Sequence, residues 1–119
     1  MWDKNAAVEY ARKHAHAGSL HKCAFAVRKA IEAGGIIGVR ANYAKDFGPS
    51  LVHAGFYEIT DQPQKGDVAV IQSIPESIPG HTCIFDGKVW ISDFVQHSGM
   101  YPGPAYRKHR PSFKIYRHN

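Results

Sequence analysis

Two cysteines and eight histidines are the side chains of this 119-residue chain best suited to nucleophilic and acid–base chemistry. Cys23 opens an apolar stripe, Cys23, Val27, Ala30, Ile31 and Gly34, at helical spacing. A cysteine on such a stripe is first of all a core residue. Its position adds a second reading. Ser19 reads as an N-cap, which puts Cys23 within the first turn or so of the helix. Unpaired N–H groups and the helix dipole favour a thiolate there. The same N–H groups suit the oxyanion of a tetrahedral intermediate.

A nucleophilic thiol needs an imidazole. His14, His16 and His21 have polar neighbours, and His109 and His118 lie in a basic tail. His81 differs: it follows Pro79-Gly80 and opens a strand, where it can stand over a sheet edge. A third polar group should accept the other ring N–H of that imidazole. Asp93, on the partner strand of the same hairpin, is a candidate, and register decides its direction. A two-residue Asp86-Gly87 turn sets Ser92 opposite His81, whereas a three-residue loop with a glycine bulge brings Asp93 to the His81 face. Cys83 stands two residues after His81, on the same strand face, and that face should look toward the Cys23 helix. Cys83 is expected to be a packed core thiol, with no disulfide to Cys23. Metal ligation is not expected. No His-x-x-x-His with a neighbouring Glu and no Cys-x-x-Cys occurs, and His14-Ala15-His16 is too tight for one helical face.

The elements that must hold these residues fall in two groups. The first helix is read over Asp3 to Ala17, with Asp3 as N-cap and Gly18 as stop, and the second over Leu20 to Ala33. Residues 40 to 50 read as loop with one helical turn, Tyr43 to Phe47, and Gly55 to Ile59 as a short extended piece. Strands follow: Asp67 to Gln72, then His81 to Phe85 and Lys88 to Phe94 around Asp86-Gly87, and last Ser112 to Arg117. Ser73 to Gly80 and Pro102-Gly103-Pro104 are loops. Helices first and antiparallel strands second make an α+β fold, its helices on one face of a small antiparallel sheet.

Length allows one domain, residues 1–119. At 44% hydrophobic and 21% charged, disordered, coiled-coil and collagenous classes are excluded. No apolar run is long enough for a membrane span, and Met1-Trp2-Asp3-Lys4 does not begin a secretory signal. The formal charge of +5 suits an anionic partner. Nucleic acid is not the expected one. The basic residues are scattered, their longest block is Arg107 to Arg110, and no aromatic-interleaved module accompanies them.

Three stretches together resemble a known group. Lys22-Cys23-Ala24 through Glu32-Ala33-Gly34-Gly35 resembles the nucleophile helix of the CHAP and NlpC-type papain-like amidohydrolases. Lys65-Gly66-Asp67-Val68-Ala69-Val70-Ile71 resembles their Gly-Asp-led strand, and Gly80-His81-Thr82-Cys83-Ile84-Phe85-Asp86-Gly87-Lys88 their Gly-His hairpin. Trp90-Ile91-Ser92-Asp93-Phe94 and Pro102-Gly103-Pro104-Ala105-Tyr106-Arg107 are similar to a small bacterial branch, the peptidoglycan amidase effectors of type VI secretion. The likeness spans most of residues 19 to 117. Thr82-Cys83 departs from it, since small or apolar residues usually follow that histidine.

The resemblance implies a papain-like fold with Cys23 as nucleophile, His81 as general base and Asp93 as its orienter, acting without cofactor. It implies hydrolysis of a stem-peptide amide in peptidoglycan, γ-D-glutamyl to meso-diaminopimelate. It further implies a toxin made in the cytoplasm and acting in the periplasm or on the wall of a target bacterium, with an immunity protein as partner. The residues leave two rivals open: a cysteine peptidase or acyltransferase on another substrate, and a non-catalytic wall-binding module.

Overall fold

Val68-Ala69-Val70-Ile71 and His81-Thr82-Cys83-Ile84 are buried on both sides, the mark of strands covered on two faces. They form β2 (Val68–Ile71) and β3 (His81–Phe85) at the centre of the sheet in the computed structural model, which describes residues 1–119. Around them lie β1 (Tyr57–Ile59), β4 (Trp90–Ile91), β5 (Val95–Gln96) and β6 (Phe113–Arg117). The order is β1-β6-β2-β3-β4-β5, with every pair antiparallel. The helices are α1 (Lys4–Lys13), α2 (Cys23–Ala33), α3 (Phe47–His53) and α4 (Pro104–His109). The α+β expectation therefore holds.

The two faces carry different cores. Val68, Val70, Ile84 and Ile91 point toward α1, α2 and α3 and join Ala7, Val27, Ile31 and Leu51 in the main cluster. The alternate residues Ala69, Cys83 and Trp90 form a smaller cluster on the far face, where Tyr106 of α4 also covers Ile71. Cys83 thus faces away from α2, contrary to the orientation expected for it. Strand alternation does group it with His81, but Thr82 and Ile84 are the residues on the α2 side.

Helix boundaries move for identifiable reasons. Asp3 caps α1 as expected, accepting from the Ala6 N–H at 3.0 Å. The helix stops at Lys13, not Ala17. The His14 ring stacks on Tyr10 at 3.8 Å, and the His16 N–H leaves for the Asp93 carbonyl at 2.8 Å. The second helix starts at Cys23, not Leu20, and Ser19 does not cap it; the Ser19 hydroxyl accepts only from the His21 N–H. Where one helical turn was expected, a 3-10 turn (Ala44–Asp46) runs into α3. Gly48-Pro49 reads as a breaker, yet Pro49 sits in the first turn, where its missing N–H costs nothing. Gly48 is needed there: a Cβ would stand 2.6 Å from the Tyr116 hydroxyl.

The hairpin turn is centred one residue later than the expected two-residue form and half a residue later than the three-residue form. Asp86 N–H donates to the Val89 carbonyl at 3.0 Å, leaving Gly87-Lys88 as the two-residue turn, with Gly87 at φ +105°. The Asp86 carboxylate accepts from the Lys88 and Val89 N–H groups, both at 2.8 Å, and pairs with Arg12 of α1. Phe85 then opposes Trp90 and Ile84 opposes Ile91. The single strand expected over Lys88 to Phe94 is broken. Ser92 N–H donates to the Phe94 carbonyl, and the chain reverses into β5.

A buried ion pair ties the sheet together. Asp67, fully buried before β2, accepts from Arg117 Nε at 3.0 Å and Nη2 at 2.9 Å and from the Gln64 N–H at 2.8 Å. Asp67→Ala leaves the Arg117 guanidinium without its forked partner. It should lower unfolding free energy by about 3 kcal/mol, read from denaturant midpoints at constant m-value. A loss below about 1 kcal/mol would show that Asp61, at 3.5 Å, and water replace the partner.

Candidate active site

The site lies where β4 stops. In β3 the odd-numbered residues turn their backbone groups to β2, as the Phe85 N–H donating to the Asp67 carbonyl at 2.9 Å illustrates. The even-numbered residues turn theirs to β4. Ile84 has its partner, Ile91, but β4 ends there. The Thr82 N–H therefore points into a gap in the sheet. Cys23, at the start of α2, lies close enough to this gap for the Thr82 N–H to hold its thiol's pKa down. Thr82 is the residue that follows His81. No hydrogen bond joins the thiol to the imidazole in the structure.

His81 is buried and held from the far face of the sheet. Its Nε2 lies 2.7 Å from Gln96 Oε1, and the Tyr106 ring stands 5.9 Å away. The Gln96 amide Nε2 donates to the Gly99 and Met100 carbonyls at 3.0 and 2.8 Å. Both donors are committed, so the Gln96 oxygen faces the ring and His81 Nε2 must carry the proton. Nδ1 is left as a free acceptor, the nitrogen a general base needs.

Asp93 does something other than expected. Its Oδ2 accepts from the Leu20 N–H at 2.8 Å and the Lys22 N–H at 3.0 Å, and it makes no hydrogen bond to His81. Register explains this. With Ile84 opposite Ile91, the parity of Asp93 is that of Thr82, so it faces α2. Gln96 opposes Trp90, which opposes Phe85, so Gln96 shares the face of His81. Asp93 instead performs the task assigned to Ser19, holding the segment that leads into α2.

Gln96 was not singled out in the sequence. Its signal, a lone polar residue after the hairpin, becomes readable only once the Ser92–Phe94 reversal is known. No group of three or more His, Cys, Asp or Glu side chains converges on a candidate metal site.

The electrostatics set the resting protonation. Burial pushes the Cys23 thiol above the usual thiol range, and the Asp93 charge adds to it. The N–H groups of Thr82, Ala24 and Cys23 oppose the rise without cancelling it. Burial also pushes His81 below the usual imidazole range, against the Gln96 hydrogen bond and the Asp93 charge. Both shifts run in the same sense: burial favours the neutral thiol and the neutral imidazole, against the thiolate expected from a helix start alone. Burial raises the Cys83 thiol well above its usual range; its Sγ faces the Met100 carbonyl at 3.8 Å.

Both cysteines are free, Cys23 half-buried and Cys83 fully buried. Iodoacetamide should label Cys23 and spare Cys83 in the native protein. The Cys23 rate should still be climbing above about pH 8.5, the ordinary thiol value. A plateau already reached near about pH 6 would mean that a stable thiolate–imidazolium pair exists at rest.

No protein-family model matches the chain, and neither does any curated protein. Solved structures do match. A chain of the crystal structure of the type VI native effector–immunity complex Tae3–Tai3 from Ralstonia pickettii is 50% identical, with a TM-score of 0.97. The match covers 99% of this chain and 100% of that one. A chain of the selenomethionine form of the complex is 52% identical with a TM-score of 0.92, over 96% of this chain and 100% of that one. With half of its residues identical over the full length of both chains, this protein belongs to the Tae3 family of type VI effectors.

Proposed function

We propose that this chain, acting as one domain over residues 1–119, hydrolyses the γ-D-glutamyl–meso-diaminopimelate amide in the peptide stem of peptidoglycan. One juxtaposition carries the reading: the Cys23 thiol at the start of α2 meets a free strand N–H beside a histidine whose Nδ1 is unoccupied. The CHAP and NlpC likeness of the same residues supplies the amidase class and the bond. Membership of an effector family supports action as an antibacterial toxin on the wall of a target cell. No helix is long and apolar enough to cross a membrane. An immunity protein is the expected partner, as Tai3 is of the Ralstonia pickettii effector.

The mechanism starts from the neutral pair. His81 Nδ1 takes the Sγ proton as Cys23 attacks the scissile carbonyl carbon. The first-turn N–H groups of α2 receive the oxyanion. Collapse breaks the C–N bond while the imidazolium Nδ1–H protonates the leaving amine, and a thioester remains. His81 then takes a proton from water, whose oxygen attacks the thioester. The second collapse breaks the C–S bond, and the proton returns to sulfur. Gln96 holds the imidazole in the Nε2–H tautomer throughout. The Asp93 charge favours the imidazolium as it forms, and its two backbone bonds hold the approach to Cys23.

Release of stem-peptide fragments from purified sacculi, followed by mass analysis, tests this. Cys23→Ala should abolish release, and His81→Ala should cost about 10²–10⁴-fold, the usual share of a general base. Wild-type turnover in Cys23→Ala would end the cysteine-hydrolase reading. Gln96→Ala should lose less than His81→Ala, through kcat and not KM, because it frees the ring without removing the base.

Asp93→Ala should lower stability as well as activity, by about 1.5–3 kcal/mol for each charge-assisted bond removed. Asp93→Asn keeps a side-chain oxygen and should recover most of that stability. Should Asp93→Ala damage activity more than Gln96→Ala with the fold equally stable, the roles given to the two residues are exchanged.

A further inference from the structure

Tyr106 is the only buried residue of α4, and the helix rests on the sheet through it. A helix of six residues has no stability of its own, so this side chain is what seats it. The seat is Ile71, Ile74 and the imidazole of His81, whose ring centre lies 5.9 Å from that of Tyr106. The other side-chain ties of α4, His109 to Glu76 at 3.0 Å and Arg107 to the Tyr101 carbonyl at 3.5 Å, are at the surface and worth little. Tyr106 is 8% exposed, and its hydroxyl, shut off from solvent, has no hydrogen-bond partner. No other buried side-chain nitrogen or oxygen of the chain is left so. Burial raises the phenol above its usual range; the nearby Ser77 hydroxyl opposes this without meeting it in hydrogen-bond geometry, and the Cys23 charge adds to it. The hydroxyl therefore stays protonated, a free donor beside His81 and within electrostatic reach of the thiol.

An orphaned buried hydroxyl costs stability that a phenylalanine would not, so a tyrosine at this place points to a use outside the resting state. His81 is equally enclosed, at 6% exposure, and a general base must come within hydrogen-bond reach of its substrate. Something that covers the imidazole has to move. Gln96 is held by the Gly99 and Met100 carbonyls, whereas no hydrogen bond holds the Tyr106 side chain. We propose that Tyr106 is a substrate-binding residue that also caps the site: at rest its ring covers His81, and on binding α4 shifts and the hydroxyl donates to a carbonyl or carboxylate oxygen of the bound stem peptide. That hydrogen bond exists only in the bound state, so it supplies the differential affinity that opens the cap. The assignment rests on the amidase reading of Cys23 and His81 and adds the residue that admits substrate to them.

The test uses Tyr106→Phe, which removes one oxygen and keeps the ring, and Tyr106→Ala, which removes the cover. Kd is measured by calorimetry in the Cys23→Ala background with a purified monomeric muropeptide and with its crosslinked dimer, and KM and turnover with Cys23 present. Tyr106→Phe should raise Kd and KM by about two- to twelvefold, the scale of one hydrogen bond, and leave the denaturant midpoint unchanged or higher. Diethylpyrocarbonate modification of His81, read by mass mapping of its peptide, should be slow in wild type and Tyr106→Phe and fast in Tyr106→Ala. Unchanged Kd and KM in Tyr106→Phe would overturn the substrate contact, and that variant alone decides it if Tyr106→Ala does not fold. A lowered midpoint in Tyr106→Phe would overturn it too, because the hydroxyl would then have a partner in the resting fold. Fast modification of His81 in the wild type would remove the cap. A wild type that releases nothing from sacculi, with Kd still weakened by Tyr106→Phe, would end the amidase reading and leave the contact standing. Release that Tyr106→Phe does not alter would do the reverse.

Discussion

One missing strand pairing organises the molecule. β4 pairs with β3 only as far as Ile91, and the Ser92–Phe94 reversal then turns the chain away. A central strand is left with a backbone N–H, that of Thr82, facing no neighbour. Buried backbone donors are seldom left unpaired, so something must fill the gap. The start of α2 fills it with a thiol. Had β4 run to Phe94, as its residues suggest, Thr82 would be ladder-bonded and Cys23 would have no place against β3. The interruption that ends the hairpin is also what admits the helix.

The same reversal arranges the polar groups around the gap. It puts Asp93 at the apex of a turn facing α2, where one carboxylate holds two N–H groups of the approach to Cys23. It returns Gln96 beside Trp90 on the opposite face, where an amide with both donors committed presents its oxygen to His81. A negative charge therefore stands near both the thiol and the imidazole without bonding to either. Its effects differ in kind. It disfavours the thiolate at rest and favours the imidazolium once formed. Burial acts on both groups in the same sense, against a charged thiolate and against a charged imidazolium. A neutral thiol is also a poorer target for adventitious oxidation than an exposed thiolate.

The remainder of the fold holds the two sides of the gap in register. Asp67 with Arg117 joins the entry of β2 to the end of β6 through two parallel hydrogen bonds. Asp86 closes the Gly87-Lys88 turn and pairs with Arg12, which ties the hairpin to α1. These carboxylates lie at sheet ends, where backbone donors would otherwise be exposed or orphaned. The apolar clusters on the two faces then supply most of the burial. None of their side chains needs to be polar, so polar residues on β3 and β5 are free to serve the gap.

The sequence by itself determined the α+β order, the N-cap at Asp3 and the central strands, and it singled out Cys23 and His81, which the fold places at the start of α2 and of β3. Each of these rests on a local signal: a period of 3.6, a capping side chain, a short apolar run between turn residues. Cys23 and His81 could be singled out because residue type and element position are local too. Tertiary structure decided the rest. The start of α2 moved to Cys23 because a carboxylate seventy-one residues away from Lys22, Asp93, holds the preceding segment. Whether Asp93 or Gln96 meets His81 depended on a one-residue shift in the hairpin turn and on a reversal three residues long. A strand changes face with every residue, so an error of one in a turn exchanges the partners of every side chain beyond it. The protonation of the thiol followed the same rule of distance. A helix start alone favours the thiolate, but the burial that opposes it comes from a strand and a turn that no local pattern brings to Cys23.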